Sequence, residues 1–334
     1  MSGFPAATDL ELLTIGRISV DLYAEQVGTA LRDVRTFRKS VGGTATNVAV
    51  AAARLGRRAA VLTKVGDDAF GEYVRWALES TFGVDVRFVG VDPVLPTPLA
   101  FAVLDPPDDP RIIFYRHPRA PDLELTSDDI AVDIVRDVAV LWVSGGALSA
   151  EPSRATVHGL MAARGRRAET VVDLDWRPQM WESATSARDE LAVALDHATL
   201  AIGNRAECEV AVGTSDAEQA ADQLLAHGLA AAIVKLGADG VLVAGADGLR
   251  ERVPPSPVDV VCGLGAGDAF GGAVCHGLLS GWDIAACARF ANAAGAIVAG
   301  RLMCADDMPT LAEIAARLGK SPDRAPSEAD VARR

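Results

Sequence analysis

Between Cys262 and Gly272 the chain reads Cys-Gly-Leu-Gly-Ala-Gly-Asp-Ala-Phe-Gly-Gly, which sets three glycines and one acid directly before an apolar, helix-forming stretch, residues 269–279. A helix starting there offers the backbone N–H groups of Gly265, Ala266 and Gly267 at its N-terminus, where anions bind. A carboxylate in the first turn is favoured by the helix dipole, and beside a bound phosphate it can accept the proton of an attacking hydroxyl. Phosphoryl transfer with Asp268 as general base is the chemistry that suits this loop. Taken alone, the same residues also fit a plain helix cap with glycines that turn the chain. The two commoner nucleotide motifs are excluded. The residue three after Gly265 is Asp268, which breaks the Gly-x-Gly-x-x-Gly fingerprint, and no Gly-x-x-x-x-Gly-Lys-Ser/Thr loop occurs.

A loop of this kind needs a rigid frame, and the chain supplies the pattern of one. Strand-like apolar runs (12–15, 59–65, 138–143, 170–173, 200–202 and 231–235) alternate with Ala-rich amphipathic segments (45–55, 70–81, 154–163, 187–195, 217–227 and 284–298). That alternation predicts a mainly parallel sheet in a three-layer α/β/α sandwich, spanning residues 10–318 as one domain. Residues 21–39 lack a helical period, and 99–115 alternate apolar and polar residues around Pro106-Pro107-Asp108-Asp109-Pro110. The two stretches suggest a small second sheet, drawn from about 17–41 and 97–118, that covers a ligand held at the carboxyl ends of the main strands. Residues 319–334 are polar and expected to be a disordered tail.

Composition bounds the partners. A net charge of −13 and a pI of about 4.9 argue against nucleic acid and anionic membranes. The longest apolar runs are strand-sized, and residues 1–9 have no basic leader, so a cytoplasmic protein is expected. Five scattered cysteines (Cys208, Cys262, Cys275, Cys287, Cys304) and five unclustered histidines suggest neither disulfides nor zinc.

A second glycine-rich run, Gly42-Gly43-Thr44-Ala45-Thr46-Asn47-Val48-Ala49, precedes Gly56 and Gly66-Asp67-Asp68 at fixed spacings. It is followed by Asn204 to Glu207, then Lys235 to Gly240, then the Asp268 loop. In this order the motifs resemble the ribokinase-like (PfkB) sugar kinase family over almost the whole chain. Five segments (16–23, 114–116, 173–178, 203–209 and 290–296) are most similar to members that phosphorylate the C6 hydroxyl of 5-dehydro-2-deoxy-D-gluconate in myo-inositol breakdown. Members acting on 2-keto-3-deoxygluconate share some of these residues and stay open as an alternative.

The resemblance implies ATP and Mg²⁺ as cofactors and a role for each motif. Asp21, at the end of the first strand, becomes an acceptor for sugar hydroxyls. Gly42 and Gly43 allow close backbone approach, and Asn47 adds amide contacts one helical turn on. Asn204 and Glu207 form the Asn-x-x-Glu motif whose acid acts on Mg²⁺ through water; a plain helix start at Asn204 is the competing reading. Lys235, Gly237 and Gly240 line the nucleotide turn, and Asn292 lies near the adenine. A substrate carboxylate needs a cation, for which Arg116 and Arg177 are best placed and Arg17 and Arg119 weaker; for each, a structural ion pair is an equal reading. Cys262 and Gly263 stand where the family's second signature opens with Asp or Asn and then Thr, which puts dependence on K⁺ in doubt. Small sheets of this family often pair, so a homodimer is expected. A sensor of a sugar acid or nucleotide would keep the fold but have no need of Asp268, and a dehydrogenase would need the absent fingerprint.

Overall fold

The computed structural model describes residues 9–106 and 110–319, so the expected tail falls, apart from Gly319, outside the described residues. The first third of the chain holds β1 (Leu12–Ile15), β2 (Ser19–Ala24), β3 (Phe37–Gly42), α1 (Thr44–Arg54), β4 (Ala59–Gly66), α2 (Ala69–Trp76), β5 (Val89–Asp92), β6 (Leu99–Val103) and β7 (Arg111–Tyr115). Then follow α3 (Val132–Asp137), β8 (Val140–Ser144), α4 (Ser153–Arg164), β9 (Glu169–Asp173), α5 (Ala184–Leu195), β10 (Leu200–Asn204), α6 (Arg205–Val212), α7 (Ala217–Ala226) and β11 (Ala231–Lys235). The chain closes with β12 (Val241–Gly245), β13 (Arg250–Val253), α8 (Ala266–Leu279), α9 (Ile284–Ala299) and α10 (Leu311–Arg317).

Nine strands form the main sheet in the order β13-β12-β11-β10-β9-β8-β1-β4-β5. The seven strands from β11 to β5 are parallel, while β12 and β13 add an antiparallel edge. All six strand-like runs lie in this sheet. Strands such as β8 (Val-Leu-Trp-Val-Ser) are buried throughout because helices cover both faces, which is why they read as unbroken apolar runs. One face packs Leu12, Val61, Trp142 and Ile233 against α1, α2, α8, α9 and α10. The other packs Leu13, Leu62, Leu141 and Val234 against α3 to α7. Arg164, buried at the end of α4, donates to the carbonyls of Val135, Val138 and Glu169 and so ties α4 to the starts of β8 and β9.

The small sheet runs β3-β2-β6-β7, with β2 and β6 parallel and the outer pairs antiparallel. Asp21 therefore does not end the first strand of the main sheet, which stops at Ile15; it is the third residue of β2, inside the small sheet. The displacement has a plain cause: the alternating run 19–24 pairs with β3 and β6 rather than prolonging β1.

The helix that carries the glycine-acid loop is fixed by close packing. A Cβ on Gly272 of α8 would lie 2.4 Å from the Cβ of Ala51 and 2.9 Å from the carbonyl oxygen of Val48, both in α1. Gly272→Ala must push the two helices apart, and we expect a loss of about 1–3 kcal/mol in urea unfolding. An unchanged unfolding midpoint would mean the helices separate freely.

Candidate active site

Helix α8 starts three residues earlier than its apolar run suggests. Gly265 is the N-cap, at φ 79°, and Ala266, Gly267 and Asp268 form the first turn. Only glycine suits this cap on two counts: its left-handed backbone, and the Sγ of Cys304, which would be 2.5 Å from an added Cβ. Among the described residues no side chain caps the helix. The first-turn N–H groups thus stay available to an anion, together with the positive end of the dipole.

Asp268 is half-buried on that turn, and the amide Nδ2 of Asn47, on the first turn of α1, donates to its Oδ2 at 2.8 Å. Burial pushes the Asp268 carboxyl up from its ordinary range; the Asn47 hydrogen bond pulls it down, Asp175 raises it, and Arg17 and Arg177 lower it. The net upward shift makes it a better proton acceptor. Asn47 is itself buried, and its Oδ1 has no hydrogen-bond partner among the described residues, which suits a donating ligand hydroxyl.

Asp268 and Asn47 border one cavity with Arg17, Ser19, Asp21, Gly43 and Arg177 on its polar side and Ala100, Ala102, Ile112 and Phe114 of the small sheet on its apolar side. Asp21 accepts from Ser19 Oγ at 2.7 Å and Tyr23 Oη at 3.3 Å, and burial pushes its carboxyl up to about 6. Gly42 has a role that sequence reasoning gave to the ligand: a Cβ there would meet the Asp21 carboxylate at 1.9 Å, so the missing side chain makes room for Asp21 itself. Gly43, at φ 97°, lies against the carbonyl oxygen of Arg17, 2.2 Å from where a Cβ would be.

The two favoured arginines part company. Arg177 borders the cavity and pairs with Asp175 at 3.3 Å. Arg116 does not reach it. Its guanidinium forks onto Asp122, 1% exposed, at 3.1 and 2.5 Å, and Asp122 also accepts from the backbone N–H of Ile18. Of the two readings offered for Arg116, the ion pair is the one present, and removing the arginine would strand a buried carboxylate. Arg119 pairs with Glu124. Arg17, ranked lower from sequence, lies in the cavity wall, with Nη2 held by Asp175 at 2.7 Å and by Thr44. Ser144 completes the set by donating to Asp175 at 2.7 Å. In the sequence Asp175 is visible only as part of a resembling segment; its φ of 34° and its two cationic partners mark it in the structure. Tyr23 and Cys304, in contact at 2.8 Å, escaped sequence reasoning because they are far apart in the chain; Tyr23 closes a resembling segment, but nothing local points from it to Cys304.

On the far side of Asp268, Asn204 and Glu207 bond reciprocally as a capping box, at 2.9 and 2.7 Å, so the plain helix start is present. Glu207 remains beside the site, 3.9 Å from Lys235 Nζ. Gly240 packs on Val253 and Pro255, and Asn292 donates to the carbonyl of Pro254 at 2.9 Å, so Gly240 and Asn292 share one segment; Gly237 is open and exposed. Cys262 is fully buried, and burial raises its thiol, which leaves it inert. Among the described residues no group of three or more His, Cys, Asp or Glu forms a metal cluster, and no helix is long and apolar enough to cross a membrane. Mg²⁺ held by a single acid and water does not require such a cluster.

An uncapped helix start that carries a proton acceptor on its first turn, at the edge of a small polar cavity, defines a kinase of small hydroxyl compounds. The chain belongs to the pfkB family of carbohydrate kinases, whose model matches residues 9–311. It is similar to a 5-dehydro-2-deoxygluconokinase of Bacillus anthracis, 32% identical over 317 residues that cover 92% of this chain and 94% of the relative. A 5-dehydro-2-deoxygluconokinase of Clostridium perfringens (strain 13 / Type A) is 30% identical over 321 residues, covering 93% of each. Among solved structures, a fructokinase double mutant from Vibrio cholerae O395 with fructose, ADP and potassium ion superposes with a TM-score of 0.82 at 26% identity, covering 93% of this chain and 99% of that one. An E. coli protein classed as ribokinase II, in complex with ATP and Mg²⁺, gives 0.84 at 25%, covering 93% and 99%. Family membership implies ATP as phosphoryl donor.

The Asn47 hydrogen bond favours the charged form of Asp268, so its loss raises the pH at which Asp268 becomes a base. In Asn47→Leu we expect the acid limb of the kcat–pH profile, read at saturating sugar, to move to higher pH. A limb that stays in place, or moves to lower pH, counts against the bond as a tuner of the base.

Proposed function

We propose that this kinase phosphorylates the C6 hydroxyl of 5-dehydro-2-deoxy-D-gluconate at the expense of ATP. The observation that carries the reading is the mixed lining of the cavity: Arg17 and Arg177 border the same space as Asp21 and Asp268, and Ala100, Ala102, Ile112 and Phe114 give it an apolar wall. A neutral sugar has no use for two arginines, whereas a carboxylate pairs with guanidinium at fixed geometry. The deoxy carbon suits the apolar wall. The names of the relatives support the same substrate.

In this reading Asp21 and Asn47 orient the sugar, and Asp268 takes the C6 hydroxyl proton as that oxygen bonds to phosphorus. The first-turn amides of α8 face the charge that builds on the transferred group. ATP supplies the phosphoryl group, and Glu207 holds Mg²⁺ through water. Lys235, Gly237, Gly240 and Asn292 border the nucleotide. Residues 10–318 act as one kinase domain, with the small sheet as a lid that excludes water. The free, buried cysteines suit the cytoplasm.

Coupled ADP release with ATP and Mg²⁺ tests the substrate. We expect 5-dehydro-2-deoxygluconate to be preferred over 2-keto-3-deoxygluconate, fructose and ribose, with turnover nearly abolished in Asp268→Asn. Preference for another sugar overturns the substrate and keeps the mechanism; no turnover with any of them leaves a sensor as the better reading.

A second copy of the chain is the proposed partner. Cavity-facing residues alternate along the small-sheet strands with Leu22, Phe37, Phe101, Ile113 and Tyr115 on the outer face. Phe101 meets Phe37 and Tyr115 edge-on at 5.4 and 5.5 Å, and Tyr115 is 61% exposed. Sedimentation should give a dimer, and Phe101→Asp a monomer; a monomeric parent chain refutes the pairing.

A further inference from the structure

Lys235 ends β11, and its Nζ lies 3.5 Å from the point a Cβ on Gly267 would occupy. Gly267 is the second residue of α8, so the ammonium rests against the positive end of that helix. A cation is disfavoured there by the helix dipole. Burial opposes the charge on the lysine, and the negative charges of Glu207, Asp173, Asp268 and Asp175 hold it charged. Its ion pair with Glu207 Oε2 is long, at 3.9 Å. A cation, a helix N-terminus without a side-chain cap and the proton acceptor therefore border one point. An anion at that point would answer the helix and the ammonium together.

We propose that Lys235 is a further catalytic residue, whose ammonium touches the non-bridging oxygens of the phosphoryl group in transit instead of only lining the nucleotide turn. The proposal rests on the kinase reading above. The bond from the γ-phosphorus to the bridging oxygen breaks with its electron pair staying on ADP. The sugar oxygen bonds to phosphorus, and its proton goes to Asp268. Lys235 keeps its protons throughout and offers charge only. Gly267 is required in this arrangement because a side chain there would stand between the ammonium and the helix amides.

The test compares Lys235→Met with the parent chain in turnover, in ADP binding by calorimetry and in binding of the ADP–aluminium fluoride complex, which mimics the group in transit. We expect kcat to fall about 100-fold or more, with the sugar KM and ADP affinity within about threefold and the aluminium fluoride complex lost. A kcat within about fivefold of the parent, or a parallel fall in ADP affinity, sugar affinity and melting temperature, overturns the proposal and leaves Lys235 a structural counter-charge. If Lys235→Met does not fold, Lys235→Arg carries the test: it keeps the charge beside Glu207 and should bind ADP normally but the aluminium fluoride complex at least about tenfold more weakly. Full retention of both overturns the proposal. The aluminium fluoride arm does not depend on which sugar is used, so a wrong substrate assignment, which would appear as parent turnover with another sugar, is told apart from a wrong role for Lys235.

Discussion

Four carboxylates, Asp173, Asp175, Glu207 and Asp268, converge at the carboxyl end of the main sheet, Asp21 joins them from the small sheet, and three cations, Arg17, Arg177 and Lys235, balance them. Carboxylates packed this closely cannot all ionise unless each has a compensating partner. The structure sorts them by partner. Asp175 is drawn down against the push of burial by Arg17 and Arg177, whereas Asp173 is driven up by burial and by the acids around it. Asp268 lies between these limits, with the Asn47 amide on one side and the open cavity on the other. The electrostatics of Asp268 are therefore set by side chains from α1, from the segment between β1 and β2, and from the segment after β9, and no one element could supply them.

The same balance explains the two-sheet architecture. The main sheet brings the strand ends and the helix starts to one rim, but alone it offers a polar floor open to water. The small sheet closes the other side with Ala100, Ala102, Ile112 and Phe114 and also contributes Asp21 to the polar side. It is anchored to the floor by the Arg116–Asp122 fork, through the bond from Ile18 to Asp122, so the guanidinium that sequence offered to the ligand joins the lid to the frame instead.

The fold was legible because parallel strands buried on both faces leave long apolar runs, and the helices between them carry their own start and stop residues; the six runs are all in the sheet. The glycine-acid loop was legible because its role needs residue types that few other arrangements need. What was not legible depends on who meets whom. Arg17 and Arg116 are both arginines near strand ends, and only the three-dimensional path shows that the first borders the cavity and the second meets Asp122. Gly42 reads as room for a ligand until Asp21 is found in that room. Tyr23 and Cys304 touch across most of the chain's length, a pairing that no local pattern encodes.

The parallel pairing of β2 with β6 has a consequence for how the lid is kept in place. Val20 pairs with Leu99, and between them in sequence lie β3, α1, β4, α2 and β5, all but the first of which belong to the main sandwich. Closing so long a loop costs entropy, and the intervening segments, packed in their own places, offset that cost. The lid, and with it the position of Asp21, thus depends on the sandwich beneath it: the segments that hold β2 and β6 side by side are those of the main sheet and its helices.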